Sequence, residues 1–231
     1  MQLKRGDTNL EAFNKKLNDR VELENYKRPF DNYQISLIPR ILGNTLVVAG
    51  NIVYGYAPSY AKFRAVEIIA RVPYHSWSSA AFTLLTMFFS NERKALNLSS
   101  VAKYAEIAGD NETMHVVVIS QIAARHKKMD IFRKTIIPVL FSFFYFWFSY
   151  LMYIIKPKYS YELNYMFEQH AFDQYSIFLA QNEEKLRAKK MDSDFLSWYG
   201  RHAENEYDFF LSVRNDEIIH RNTTIQEINF V

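Results

Sequence analysis

The chain has 231 residues with only 6 Gly and 6 Pro, about 5 % together against roughly 12 % in average usage, too few for the tight turns of a β-sandwich or barrel. Apolar residues at 49 % exclude a disordered chain, and charged residues at 23 % exclude a polytopic membrane protein. The absence of cysteine excludes disulfides, thiolate zinc sites, cysteine-ligated iron–sulfur clusters and cysteine nucleophiles, and a net charge of +3 gives no argument for nucleic acid as a partner.

Taken in order, residues 1–34 are polar and read as an arm, with Pro29 and Asn32 marking a loop. Their first 25 residues are charged throughout and carry neither a secretory signal nor a transit peptide, so no targeting peptide is expected. Residues 35–61 are apolar apart from Arg40, but Pro39, Gly43, Gly50, Gly55 and Pro58 interrupt them. Helical patterns are predicted over 60–89 and 99–128, with Ser99 as N-cap and a polar connection between. An apolar run, 131–155, follows and ends at Pro157. Further helices are predicted over 159–190 and 207–227, separated by a polar segment. The expectation is an all-α protein of about six helices, with residues 35–231 forming one domain.

Two Glu-x-x-His pairs stand out, Glu112 with His115 and Glu217 with His220. Positions i and i+3 share a helix face, so each pair can aim a carboxylate and an imidazole at one point. That is the ligand unit of ferritin-like di-iron four-helix bundles, in which two further helices each add one Glu. Glu67 and Glu168 fit that part, each flanked by apolar residues within its own helix. The order Glu67, Glu112/His115, Glu168, Glu217/His220 leaves room for about one helix in each gap. A mixed carboxylate and imidazole set favours iron or manganese over zinc or copper. On residue spacing alone, ordinary solvated carboxylates remain an alternative.

At these same residues the sequence resembles the alternative oxidase superfamily of membrane-bound di-iron quinol oxidases, and within it the plastid terminal oxidase branch. The likeness rests on Glu67-Ile-Ile-Ala-Arg-Val-Pro-Tyr74, Asn111-Glu-Thr-Met-His115, Glu168-Gln-His-Ala-Phe-Asp-Gln-Tyr175 and Arg214-Asn-Asp-Glu-Ile-Ile-His220. It departs from the usual pattern at Lys62, Val66, Ile68 and Gln174. The resemblance implies a pair of iron ions held by the six ligands above, and oxidation of plastoquinol or ubiquinol with reduction of O₂ to water. It gives Tyr175 a redox role and places Lys62 and His170 near the quinol. Asn111, Asp216 and Arg214 are then expected to support the ligands, since a ligating imidazole commonly donates its other N–H to a carboxylate or carbonyl.

The resemblance further implies a monotopic enzyme, attached to a thylakoid or cytoplasmic-type membrane through residues 35–61 and 131–155. The stretch 135–155 has the length of a spanning helix. If it crossed the bilayer, however, Glu67 and Glu112 would be separated from Glu168 and Glu217. It is therefore expected to lie in one leaflet or be buried, with Lys127, Lys128, Arg133, Lys134, Lys156 and Lys158 meeting anionic head groups. Two other readings stay open: a di-iron hydroxylase of quinone biosynthesis, and a non-catalytic bundle subunit of a membrane complex. So does the existence of a homodimer.

Overall fold

A computed structural model describes residues 8–126 and 130–228. Among the described residues there are ten α-helices and no strand, only an isolated bridge between Lys190 and Asn205. Four helices carry the candidate ligands: α4 (Tyr60–Ala70), α6 (Glu92–His126), α8 (Pro157–Arg187) and α10 (Glu206–Ile228). They pack as a bundle, α8 against α10 and α4 against α6, while α5 (Val72–Phe88) continues the line of α4 along α6.

Several boundaries differ from the sequence reading, each for a local reason. The single helix predicted over 60–89 is broken at Arg71, because Pro73 in the next turn cannot supply the N–H that would continue the ladder. The connection predicted between it and the next helix is instead the first two turns of α6. Asn91, not Ser99, serves there as a start signal, its side chain accepting from the Lys94 N–H. The polar segment after α8 contains a short helix, α9 (Asp194–Tyr199), capped by Ser193.

Residues 8–34, read as an arm, fold against the bundle. Helix α1 (Thr8–Lys16) packs on α10, and α2 (Arg20–Lys27), capped by Asp19, follows it. Leu17 and Leu23 are buried with Phe172, Ile218 and Ile219. The low apolar content of this segment hid these anchors.

The two apolar segments form α3 (Leu37–Tyr54) and α7 (Ile137–Ile155). Neither Pro39, in the first turn, nor the two internal glycines break α3. Gly43 instead lets it approach α8 closely, since a Cβ there would lie 2.8 Å from Met166 Sδ. Few residues of either helix are buried. Helix α7 buries a stripe of Tyr145, Ser149 and Tyr153 at four-residue spacing, and turns Phe143, Phe144, Trp147 and Leu151 outward. Lys127 and Lys128, expected to flank it, lie outside the described residues.

Candidate metal centre

The six side chains singled out by spacing converge inside the bundle, all of them buried. Glu67, Glu112, His115 and Glu217 each offer a donor atom within 4.8 Å of the others, and Glu112, Glu168 and His220 form a second such group. Glu112 belongs to both. The geometry follows from helix periodicity. Each Glu-x-x-His pair faces the bundle axis one turn apart, so α6 and α10 each reach both groups.

His115 Nδ1 lies 3.3 Å from Glu67 Oε2 and 3.5 Å from Glu112 Oε2 and Glu217 Oε1. Its Nε2 meets Asp216 Oδ2 at 2.9 Å. A carboxylate held as an anion can only accept, so Nε2 carries a proton, and Nδ1 is the ring nitrogen that faces the centre, where a cation would take the place of a second proton. His220 Nδ1 stands 2.8 Å from Glu112 Oε1 and 4.0 Å from Glu168 Oε2.

Among the described residues, eleven buried side-chain N and O atoms lack a hydrogen-bond partner, and nine of them belong to these six residues. Buried polar atoms are normally satisfied, and leaving one unsatisfied costs about 1–3 kcal/mol. Nine in one place, all hard oxygen or imidazole donors, fit a pair of divalent cations.

The electrostatics agree. Burial pushes the Glu67 carboxyl up to about 7, against the hydrogen bonds from His115 and Tyr175. Burial and repulsion from Glu112 raise Glu168, and the same causes with Glu67 and Glu168 added hold Glu217 well above the usual range. Burial would raise Glu112 too, but the charges and hydrogen bonds of His115 and His220 together outweigh it and hold this carboxyl down at about 2. Crowded carboxylates that resist ionising together are a site that cations would relieve.

A second layer holds the ligands in place. Burial alone would raise Asp216, yet the Arg201 guanidinium keeps it well below the carboxylate range. Arg201 binds both carboxylate oxygens of Asp216 and reaches Glu11 of α1 with its Nε and Nη2. Asn14 of α1 donates to Asp216 Oδ1 at 2.6 Å. The two single-glutamate ligands are each tied at Oε1 by a tyrosine: Tyr175 donates to Glu67, and Tyr74 donates to Glu168 at 2.7 Å.

The other expected site residues fall as follows. Asp216 supports His115 rather than the neighbouring His220. Tyr175 bonds Glu67 of α4, not Glu168 of its own helix. Asn111 donates to Tyr199 Oη at 3.1 Å. Arg214 does not reach the ligands: its guanidinium bonds Asn215 and lies 5.9 Å from the Phe172 ring centre. The part expected of it falls to Arg201, from a segment read as a linker. Tyr74, Asn164, Glu11 and Asn14 were missed; only Tyr74 carried a signal, since it stands seven residues after Glu67 as Tyr175 stands seven after Glu168.

Lys62 and His170 both line a mostly apolar cavity of about 180 Å³ between α3, α4, α8 and the start of α7. Lys62 Nζ is held there by Asn51 Oδ1 at 2.7 Å, the Tyr56 carbonyl at 3.1 Å and Gln174 Oε1 at 3.1 Å. The cavity ends on Glu168 and Glu217.

The family model described as "Alternative oxidase" matches residues 44–229. A curated relative, "Ubiquinol oxidase 4, chloroplastic/chromoplastic" of Arabidopsis thaliana, is 24% identical over 185 residues, covering 71% of this chain and 50% of the relative. The chain thus spans about half the length of the curated relative it matches. No solved structure matches it. The match runs through all six candidate ligands, the whole of α7 and the later part of α3, and on that extent the chain belongs to the alternative oxidase family.

Proposed function

We propose that this chain is a quinol:oxygen oxidoreductase that holds two iron ions and sits on one leaflet of a membrane without translocating protons. The observation that carries this reading is the apolar cavity whose inner end is formed by two of the six unsatisfied ligands. It offers a lipid-soluble reductant a dry route to the centre.

Glu67, His115 and Glu217 would hold one ion and Glu168 and His220 the other, with Glu112 available to both. Bound there, an iron pair would supply the O₂ binding and electron storage for reducing O₂ to two waters with two quinols. The protein's own groups do the rest. Asp216 fixes the tautomer and orientation of His115. Tyr175 can yield an electron while its phenolic proton passes to Glu67, to which it is already hydrogen-bonded. Lys62, with three neutral acceptors, has N–H groups to exchange onto a quinol oxygen, and His170 stands on the same wall.

Membranes containing the protein are expected to take up oxygen on addition of a quinol, in the presence of cyanide, and Glu112→Ala is expected to abolish this. Equal uptake by both forms would end the catalytic reading. The cavity is tested separately. A Cβ at Gly50, which lines it, would meet nothing within 4 Å. Gly50→Leu should therefore fold, place its side chain in the cavity, and raise KM for quinol about tenfold or more with iron content unchanged.

For the membrane, α7 is 19 residues long, roughly 28 Å at 1.5 Å per residue. Exposed Arg133 and Lys134 precede it, and exposed Lys156 and Lys158 follow. Lying flat, it brings both basic pairs to the head groups of one leaflet while its aromatic face enters the acyl boundary. Phe144→Ser with Trp147→Ser should lower partition onto anionic vesicles about tenfold or more, from lost aromatic burial. Since no ligand helix crosses the bilayer, the same vesicles should develop no pH gradient during quinol oxidation.

A further inference from the structure

The two single-glutamate ligands are held by an exchange of tyrosines. Tyr175 stands seven residues after Glu168 on α8, yet donates to Glu67 on α4. Tyr74 stands seven residues after Glu67, at the start of α5, yet donates to Glu168 on α8, at 2.7 Å. On α8 seven residues is close to two helical turns, so Tyr175 follows Glu168 on nearly the same face; Tyr74 follows Glu67 across the break at Arg71, and each tyrosine reaches across to the other glutamate. In both cases Oε1 is bonded and Oε2 is left without a partner. The two halves of the centre are thus related by an approximate twofold exchange of α4–α5 and α8.

We propose that Tyr74 is the positioning residue for the Glu168 and His220 half of the centre, as the counterpart of Tyr175 in the Glu67 and His115 half. Glu168 ends the cavity, whereas Glu67 and Tyr175 do not line it. Tyr74 is completely buried. Its oxygen accepts from Asn164 Nδ2 at 3.0 Å, and the same amide lies 3.0 Å from Glu168 Oε1. Two donors thus fix one oxygen and turn the other to the centre. A carboxylate held this way can bind an ion through Oε2 alone, in one orientation, while a quinol approaches from the cavity side. The Tyr74 ring also meets the His220 ring edge-on, with centres 5.5 Å apart, so it borders both ligands belonging to that half alone.

This inference rests on the two-ion reading above, and its test reads ion binding without quinol or oxygen. Manganese(II) is titrated into metal-free full-length protein, followed by calorimetry and by the electron paramagnetic resonance of the bound ions. Wild type should take two ions. Tyr74→Phe should weaken one binding step by roughly 10- to 100-fold, the usual effect of losing such a support, and leave the other unchanged. Tyr175→Phe should weaken the opposite step, and the two variants should perturb different components of the spectrum. In a Glu168→Gln background the effect of Tyr74→Phe should disappear. Asn164→Ala, which removes the other donor to the same oxygen, should weaken the same ion as Tyr74→Phe and stands in if that variant loses its helicity. Two equal, unaltered steps in Tyr74→Phe would overturn the assignment while leaving the quinol oxidase reading intact. A wild-type chain that takes up no ion pair would overturn both.

Discussion

Glu112→Ala is expected to leave a folded helical protein that holds neither ion and shows no quinol-dependent oxygen uptake above background. Among the six ligands it is the one whose two oxygens serve different groups: Oε2 faces His115 and Glu217, and Oε1 faces His220. Both imidazoles lean on it, and their charge is what holds its carboxyl low. Losing Glu168 or Glu67 would remove one side of one group, but losing Glu112 opens both together. The fold should survive, because the apolar clusters bordering the site, around Phe63, Met114 and Phe210 and around Trp77 and Tyr161, do not involve this side chain. Iron per chain by elemental analysis, helicity and oxygen uptake check the result. Glu106→Ala, an exposed acid on the same helix, serves as the control and should change none of them. Two irons retained in Glu112→Ala would remove Glu112 from the centre.

The residues legible in the sequence are those whose placement is a matter of helix periodicity. Glu112 with His115 and Glu217 with His220 share a face by spacing alone. Glu67 and Glu168 declare themselves as charges in apolar surroundings, since a carboxylate is seldom buried without a partner. The supporting residues follow no such rule. Arg201 meets Glu11 across 190 positions and Asn14 meets Asp216 across 202, and no local pattern encodes contacts at that range. Arg214 illustrates the converse: it sits in the right box, but its place on α10 sends the guanidinium toward Phe172 instead of the ligands. Helix ends were misread where one side chain decides them, as Pro73 does between α4 and α5 and Asn91 does before α6. The buried side of residues 8–34 was missed because a few apolar anchors in a polar segment give too little contrast.

That segment carries the other large expected effect. Arg201→Ala should destabilise the protein by about 3–5 kcal/mol, because it strands a buried charge network in which Asp216 and Glu11 lose their common partner. For a chain of this size, each kcal/mol shifts Tm by roughly 2–4 °C, so a fall of roughly 6–20 °C is expected. Arg201→Lys should recover only part of it, since an ammonium cannot fork onto two carboxylates as the guanidinium does. The loss is also chemical. Without the guanidinium Asp216 keeps one donor from α1, that of Asn14, so the orientation of His115 loosens and ion affinity should fall roughly 10- to 100-fold. Thermal unfolding with and without manganese(II) measures both at once. A Tm within 2 °C of wild type in Arg201→Ala would show that α1 merely covers the bundle. A large fall, together with a smaller stabilisation by added ion, is expected because α1 reaches the centre through an unbroken line of contacts: Glu11 to Arg201, Arg201 to Asp216, and Asp216 to His115.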